Sequence, residues 1–228
     1  VKVRAERWSE SEIAPIEMGG GLTLLHRLFS DVNAFVLSAA DADEFARVET
    51  HELDPEPDES LTYGEIEMLP FLHLLQRLVL PAGGVFCDLG AGSGRAVFAA
   101  AITGELFSEC LGVELLPQLC AAAQRLKTPF FELAPAHGLV TVPKISFHQG
   151  DLADVESWKH ADTVYVASLC FSDTLMLALV TAAASLKKGS LLLSLERLPI
   201  EARQILWLEG CEKMVMSWGE CDVFLYRR

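Results

Sequence analysis

The sequence predicts an α/β fold: a seven-stranded, mostly parallel sheet with helices on both faces and an antiparallel hairpin at its C-terminal end. Between residues 85 and 195, short strand-like runs alternate with helical patterns, which is typical of a parallel sheet with right-handed crossovers. Two further strand-like runs, separated by a short turn, close the chain. Hydrophobic residues occupy 51% of the 228 positions, enough to fill a core on both sides of such a sheet.

The N-terminal part of the chain is predicted to stand apart from that sheet. Over residues 21–40, apolar residues recur at three- and four-residue spacing, which predicts a helix that packs one face against the protein. Residues 49–60 are acidic and contain Pro55 and Pro57, so we interpret them as a linker. We therefore expect a helical extension and acidic linker over residues 1–60, and the main domain over residues 61–228.

The main domain is predicted to begin with a helix over residues 64–80 that starts or kinks near Pro70. Strands are predicted at residues 85–89, 110–114, 144–148, 162–167 and 190–195, and helices at 94–103, 117–127 and 173–187. Residues 128–142 exceed a usual loop and predict either a substrate-side insertion or a helix extension. Residues 213–218 and 222–228, joined by 219–221, predict the closing hairpin.

The charge and the apolar patterning exclude several classes of function. Eighteen basic against 32 acidic side chains give a net charge of −14, which disfavours direct nucleic-acid binding by this chain. The longest apolar stretch, around residues 174–186, is too short to span a membrane, and no partnership with a membrane is expected. The six histidines lack metal-ligand spacing, so we predict no metal site. Because the first residue is valine, we expect the chain to be a fragment with flanks of other charge.

The strand at residues 85–89 runs into a glycine-rich turn that opens a helix. Such a turn lets a ligand lie against bare backbone at the carboxyl edge of the sheet, although a glycine-rich loop alone is equally typical of a tight strand-to-helix turn. Glu114, which ends the next strand 20 positions after Gly94, is suitably placed to accept hydrogen bonds from ribose hydroxyls. Arg95 stands where the dinucleotide fingerprint has its third small residue, which disfavours nicotinamide binding.

The G-x-G-x-G spacing, with an aspartate two residues ahead of the first glycine, closely resembles the first motif of class I S-adenosylmethionine-dependent methyltransferases. The resemblance implies a Rossmann-like sheet whose loop cradles the amino-acid part of S-adenosylmethionine, with Glu114 at the ribose and Asp151 at the adenine. Taken alone, Asp151 is more typical of a turn or cap acid. The implied cofactor residues on this motif and the following strands are Asp88, Gly90, Gly92, Gly94, Glu114 and Asp151.

The tetrapeptide from Thr62 to Glu65 resembles the signature loop of the disruptor-of-telomeric-silencing family of histone-lysine methyltransferases. Residues 216–218 and 223–226 also resemble the closing hairpin of that family, and the similarity covers roughly residues 61–228. In that family the signature loop covers the methionine end of the cofactor. The resemblance therefore implies a cofactor role for Tyr63 and Glu65, with Tyr63 also beside the reacting methyl group.

One departure from the family concerns the acceptor. The family's fourth strand ends in two asparagines and a phenylalanine, where this chain has Ala167, Ser168 and Leu169. The resemblance places Ser168 at the second asparagine, near the methyl-transfer position, but a hydroxyl makes fewer hydrogen bonds than an amide. Phe171 and Trp218 are candidates for lining an acceptor channel, although single aromatic residues here more often pack in the core.

The resemblance implies methyl transfer to a protein lysine, with a histone, free or within a nucleosome, as the partner and with Tyr63, Ser168 and Phe171 at the reacting centre. Positioning and delivery of a neutral lysine suffice for such a transfer, so no dedicated base is assigned. Two alternatives stay open: a non-histone protein or small-molecule acceptor, and a cofactor-binding module without catalysis. The expected location is nuclear or cytoplasmic, and nuclear if the acceptor is a histone.

Overall fold

The computed structural model describes residues 19–32 and 66–228. Its α-helices are α1 (Gly19–Val32), α2 (Met68–Arg77), α3 (Arg95–Ala101), α4 (Pro117–Leu133) and α5 (Asp173–Ala183). Its strands are β1 (Gly84–Leu89), β2 (Phe107–Glu114), β3 (Lys144–Gln149), β4 (Thr163–Val166), β5 (Leu191–Ser194), β6 (Trp207–Met216) and β7 (Gly219–Arg227).

The seven strands form one sheet in the order β3-β2-β1-β4-β5-β7-β6, which confirms the predicted fold class. The first five strands pair in parallel, and β7 runs antiparallel to both β5 and β6. Successive strands extend from β1 towards β2 and β3 on one side and towards β4 and β5 on the other. The direction in which successive strands are added to the sheet therefore reverses between β1 and β4. Such a switch point leaves a crevice at the carboxyl ends of the strands.

Helices cover both faces of the sheet, as predicted. Buried residues of α1 to α4 pack on one face, where Phe86 of β1 points, while α5 covers the other face, where Cys87 points. Adjacent strand residues alternate between faces, so each strand contributes to both cores. The two cores differ in their aromatic content, because most of the buried phenylalanines belong to the first. Phe98, for example, contacts Phe130 with 5.1 Å between ring centroids.

The long segment after the second predicted helix proves to be a helix extension. Helix α4 continues to Leu133 with Pro129 inside it, and a short 3-10 turn follows at Pro135–His137. The helix tolerates the proline because Phe130, the next residue, is buried against the phenylalanine cluster and holds this turn in place.

The closing hairpin differs from the sequence-based expectation in the position of its turn and in the start of its first strand. The closing turn lies at residues 217–218 rather than 219–221, because Met216 pairs directly with Gly219. Strand β6 also starts at Trp207, six residues before the predicted 213. It is an exposed edge strand whose first residues are mostly exposed, so they lack the apolar–polar alternation that predicts a strand. Pro70 lies in the first turn of α2, where a missing backbone N–H costs little.

Helix α1 packs on the same core as the main domain through Leu24, Leu25, Leu28 and Phe29. The rest of the predicted extension and linker, and the predicted helical residues 33–40, lie outside the described ranges. The division of the chain at residue 60 therefore stays a prediction. None of the helices within residues 19–32 and 66–228 is long and apolar enough to cross a membrane.

Candidate functional site

A cavity of about 460 Å³ opens where β1, β2, β3 and β4 end, at the predicted crevice. Five of the residues predicted to contact a cofactor line it together: Asp88, Gly90, Gly92, Glu114 and Asp151. The wall is mostly apolar, with a few polar groups that converge from different strands, which is typical of small-molecule sites. Tyr63 and Glu65, predicted to cover the same site, lie outside the described residues.

The glycine-rich turn is tied to the end of the neighbouring strand. The backbone N–H groups of Gly90 and Ala91 both donate to the carbonyl of Val113, at 2.8 and 3.0 Å. Gly90 and Gly92 adopt φ values of 80° and 52°, in the left-handed region that favours glycine. A Cβ added at Gly90 would meet no atom within 4 Å, so the turn leaves open space where a ligand can approach the backbone.

Gly94 packs against the sheet at the start of α3. It does not line the cavity; a Cβ there would come within 2.7 Å of the Phe147 ring. Gly112 of β2 is equally constrained, since its Cβ would lie 2.6 Å from the Cβ of Ala91. Both glycines allow the turn and α3 to pack closely on β2 and β3. Gly94 thus has a packing role that is visible only in three dimensions, and the ligand contact that the resemblance implies for it stays a prediction.

Glu114 joins the glycine turn to the floor of the cavity. It is only 7% exposed, and its two carboxylate oxygens accept from the backbone N–H groups of Gly92 at 2.7 Å and Leu116 at 2.9 Å. Burial raises the pKa of this carboxyl, while these backbone hydrogen bonds lower it. A carboxylate has about four acceptor positions, and with a third backbone hydrogen bond from Leu115 capacity remains for a ligand hydroxyl.

Asp88 and Tyr165 contribute polar atoms to the cavity that lack protein partners. They lie opposite each other on β1 and β4 and are 4% and 1% exposed. Neither Oδ1 of Asp88 nor the hydroxyl of Tyr165 has a hydrogen-bond partner within the described residues. Burial, and secondarily the charge of Glu114, raises the pKa of Asp88 to about 8. Such unpartnered buried groups are costly unless a ligand satisfies them.

Asp151 is a turn acid that also lines the cavity, and its contact with the adenine stays a prediction. Its Oδ1 accepts from the backbone N–H of Ala153 at 2.8 Å, which makes it a turn acid. It also lines the cavity, because the preceding Gly150 N–H donates to the carbonyl of Glu114 at 2.9 Å and holds the end of β3 beside that of β2.

Ser168 lies outside the cavity. Its hydroxyl is fully buried, 2.8 Å from the hydroxyl of Ser194, and it accepts from the backbone N–H of Glu196 at 3.0 Å. After β4 the chain forms one 3-10 turn at Ser168–Cys170, which directs this side chain towards β5 while Ala167 and Leu169 line the wall. These hydrogen bonds fasten β4 to the end of β5, while the position at the reacting centre that the resemblance implies for Ser168 stays a prediction.

Apolar side chains form the wall next to β4. Phe171 and Trp218 both line the cavity, as predicted for an acceptor channel, together with Leu175 of α5. Trp218 stands at the hairpin turn and is 49% exposed, so it borders the mouth. Ile66 forms an isolated antiparallel bridge with Met216, which holds the start of the main domain beside this hairpin.

Sequence reasoning did not predict that the polar side chains of Arg95 and Tyr165 line the cavity. Arg95 was noted only as a departure from the dinucleotide fingerprint, yet it lines the cavity. Tyr165 occupies a strand interior, where an aromatic residue ordinarily predicts packing. Its position directly opposite Asp88 depends on the strand register, which carries no local sequence signal.

With this geometry established, comparison with known proteins identifies the family. The family model described as "Histone methylation protein DOT1" matches residues 54–213, about 70% of the chain. The chain belongs to this family. The disruptor-of-telomeric-silencing resemblance seen in the sequence is thereby confirmed.

Two curated relatives carry the name "Histone-lysine N-methyltransferase, H3 lysine-79 specific". The protein of Gibberella zeae is 30% identical over 165 residues, which cover 70% of this chain and 33% of that protein. The protein of Aspergillus fumigatus is 28% identical over 138 residues, which cover 59% of this chain and 27% of that protein. The chain thus spans about a third of the length of these relatives.

Solved structures show the fold independently. The tRNA methyltransferase TrmK of Bacillus subtilis superposes with a TM-score of 0.50 at 16% identity, covering 72% of this chain and 65% of TrmK. A Pyrococcus horikoshii protein described as a candidate RNA methyltransferase also reaches 0.50, at 15% identity, covering 82% of this chain and 96% of its own. The architecture is therefore the Rossmann-like fold of methyltransferases.

Proposed function

We propose that this chain is the catalytic domain of an S-adenosylmethionine-dependent lysine methyltransferase that acts on a histone, and that it works in the nucleus. The observation that carries the proposal is the cavity at the switch point of the sheet, in a chain of the histone methylation family. The names of the two curated relatives favour lysine-79 of histone H3 as the acceptor.

The residues of the cavity fit the parts of the cofactor. Glu114 is assigned to the ribose hydroxyls and Asp151, after the next strand, to the adenine end. Gly90 provides open backbone on which the amino-acid part lies, and Gly92 lines the cavity beside it. Asp88, buried and with no partner for its Oδ1 among the described residues, is assigned to the α-ammonium group. Tyr63 and Glu65 stay proposed contacts, assigned from the family resemblance alone.

The apolar wall next to β4 is assigned to the lysine side chain. When bound, the cofactor supplies a methyl group on a cationic sulfonium. Leu169, Phe171 and Trp218 exclude water from the approach to it and hold the lysine stem in line. An apolar environment also lowers the pKa of a lysine, which favours the neutral amine that attacks.

No side chain of the described wall is needed as a base. Burial raises the pKa of Tyr165 well above its usual value, so its hydroxyl stays protonated at neutral pH. Ser168 is occupied by its hydrogen bonds to Ser194 and Glu196. The lysine proton therefore leaves to solvent before the lysine is enclosed, and positioning supplies the catalytic effect.

The test is methyl transfer from radiolabelled S-adenosylmethionine to separate pools of nucleosomes, free histones, other lysate proteins and small metabolites. We expect label in histone H3, and its loss when H3 carries arginine at lysine-79. The matched variants are Glu114→Ala, which removes a carboxylate from the cavity, and Glu109→Ala, which removes one from the same strand outside it. Label that appears only in other proteins or in metabolites contradicts the histone assignment.

The apolar wall next to β4 favours a second candidate function, methyl transfer to an acceptor other than a histone. Ala167 and Leu169 present no amide to the cavity where the family has asparagine and phenylalanine, and the net charge of −14 opposes approach to nucleosomal DNA. These features suit an acceptor in a non-histone protein or a small amine. The same pools of acceptors distinguish this candidate, because label then appears without nucleosomes.

A further inference from the structure

Tyr165 is a polar residue of the cavity that the cofactor assignment leaves unused. It is 1% exposed, and its hydroxyl has no hydrogen-bond partner within the described residues. A buried hydroxyl without a partner destabilises the fold, and this cost is removed when a ligand supplies the missing hydrogen bond. The hydroxyl of Tyr165 therefore indicates a ligand contact in the cavity that it lines.

This hydroxyl lies where the cofactor end of the cavity meets the apolar wall. Tyr165 belongs to β4 and pairs in register with Asp88 of β1, which is assigned to the ammonium group of the cofactor. Burial first, and then the charges of Asp88 and Cys221, raise the pKa of the hydroxyl. Since Cys221 belongs to β7 of the closing hairpin, the hydroxyl stands between the end of β1 and the hairpin whose Trp218 borders the mouth.

The ring of Tyr165 is held in place by packing against α2. It makes an edge contact with the fully buried ring of Phe71, with 5.0 Å between ring centroids. The same Phe71 ring contacts Phe86 of β1 at 6.0 Å. Side chains that are locked by packing present their polar atoms in a fixed position, so the hydroxyl is positioned before a ligand binds.

The apolar wall offers few other hydrogen-bond acceptors to an amine. Its side chains next to β4 carry no polar atom: Ala167, Leu169 and Phe171. The indole of Trp218 can only donate, and the thiol of Cys170 is a weak acceptor. The carboxylates of the cavity are assigned to the cofactor. Among the described side chains of this wall, Tyr165 therefore supplies the strong acceptor for an amine N–H.

We propose that the Tyr165 hydroxyl binds the attacking amine: its oxygen accepts a hydrogen bond from an N–H of the neutral lysine, which leaves the nitrogen lone pair directed at the methyl group. The proposal rests on the proposed function, because it assigns S-adenosylmethionine and a lysine to this cavity. The lone pair forms the new N–C bond while the S–C bond breaks and leaves its electron pair on sulfur. Positive charge thus passes to the amine, and the hydrogen bond to Tyr165 strengthens as the reaction proceeds.

The hydrogen bond also affects how many methyl groups are added. A neutral primary amine has two N–H groups, a monomethylated lysine has one, and a dimethylated lysine has none. The first two transfers therefore use the contact with Tyr165, whereas a third leaves the hydroxyl without a partner. The wild type is expected to form mono- and dimethylated products faster than trimethylated product.

The contact is tested first by binding, which needs no acceptor protein. Two S-adenosylhomocysteine analogues are titrated by calorimetry. In both, nitrogen replaces sulfur, and it carries an aminoethyl arm in one and a propyl arm of the same length in the other. The wild type is expected to prefer the aminoethyl arm, and Tyr165→Phe to reduce that preference by about tenfold or more, the range for a hydrogen bond to a charged group. The affinity for S-adenosylhomocysteine is expected to stay unchanged.

Tyr226→Phe is the matched control. Tyr226 is also buried, but its hydroxyl accepts from the backbone N–H of Leu198 at 3.0 Å and it does not line the cavity. Tyr226→Phe is expected to lower the unfolding temperature and to leave the ratio of the two affinities unchanged. Tyr165→Phe removes a hydroxyl without a described partner, so it is not expected to lower the unfolding temperature.

Turnover gives a second measurement, on nucleosomes whose histone H3 carries lysine-79 unmodified, monomethylated or dimethylated. Tyr165→Phe is expected to lower kcat on the first two by about three- to tenfold and to leave kcat on the dimethylated acceptor unchanged. A merely structural role of Tyr165 would lower kcat on all three acceptors alike, and that result contradicts the amine contact.

The outcomes separate this inference from the proposed function. A wild type that binds neither S-adenosylhomocysteine nor the analogues overturns the cofactor assignment itself. If no nucleosome is methylated, the histone assignment fails, and the binding comparison still decides the amine contact. An equal preference for the aminoethyl arm in the wild type and Tyr165→Phe overturns that contact. If Tyr165→Phe weakens S-adenosylhomocysteine as much as the aminoethyl analogue, the hydroxyl contacts the cofactor instead, and the inference is wrong.

Discussion

Asp88→Asn is expected to make the ligand-free protein more stable at pH 8 and yet weaken binding of S-adenosylhomocysteine. Burial and the charge of Glu114 raise the pKa of Asp88 to about 8 from its ordinary 3.8. A carboxyl whose folded-state pKa is raised contributes stability that is fully present below the unfolded pKa and is lost as pH rises through the folded pKa. Between pH 4 and pH 8 this loss is on the order of 5 kcal/mol, as an upper bound.

In the free protein the raised pKa favours the protonated form of Asp88. Binding of a cationic ammonium group favours the ionised carboxylate instead. With a pKa of about 8 in the free protein, about 0.9 of the carboxyls are protonated at pH 7, so binding releases nearly one proton. Affinity is then expected to rise by close to tenfold from pH 6 to pH 7 and by about fivefold from pH 7 to pH 8, and to level off above. The amide of Asp88→Asn cannot release this proton.

The assay is calorimetric titration with S-adenosylhomocysteine at pH 6 to 8, in buffers of different ionisation enthalpy, together with thermal unfolding of both proteins. Glu114 also has a raised pKa and is coupled to Asp88, so the informative quantity is the difference between wild type and variant. Equal proton release by the two proteins would refute the assignment of Asp88 to the ammonium group. A wild type whose ligand-free stability does not fall from pH 4 to 8 relative to that of Asp88→Asn would refute the raised pKa.

The remaining predictions concern the glycine turn, the ribose carboxylate and the net charge. Glu114→Ala is expected to weaken S-adenosylhomocysteine binding by at least about 1.5 to 3 kcal/mol, and unchanged affinity in calorimetry removes Glu114 from the site. Gly92→Val is expected to abolish binding, because φ is 52° and a branched side chain strains the turn; a folded variant with normal affinity contradicts this. Gly94→Ala is expected to lower the unfolding free energy by at least about 1 kcal/mol through its contact with Phe147, which denaturant titration measures. Turnover on nucleosomes by this chain is expected to be weak, because its net charge is −14, and robust turnover in a salt series at physiological ionic strength refutes the charge argument.

The sequence alone determined the sheet, the glycine turn and the identity of Glu114 as a cavity residue. These depend on patterns over a few neighbouring positions: strand and helix periodicity, the spacing of three glycines, and an acid at the end of the next strand. Each pattern places its residues at the carboxyl edge whatever the distant parts of the chain do, because all parallel strands end there.

The tertiary structure alone decided where Ser168, Tyr165 and Arg95 lie relative to the cavity. The direction of Ser168 follows from one turn of 3-10 helix and its bonds to β5, and the position of Tyr165 opposite Asp88 follows from the register of β4. Arg95 meets Phe29 across 66 positions of sequence, by packing between α1 and α3. Contacts of this kind depend on how remote elements pack and pair, so no local pattern of residue types encodes them.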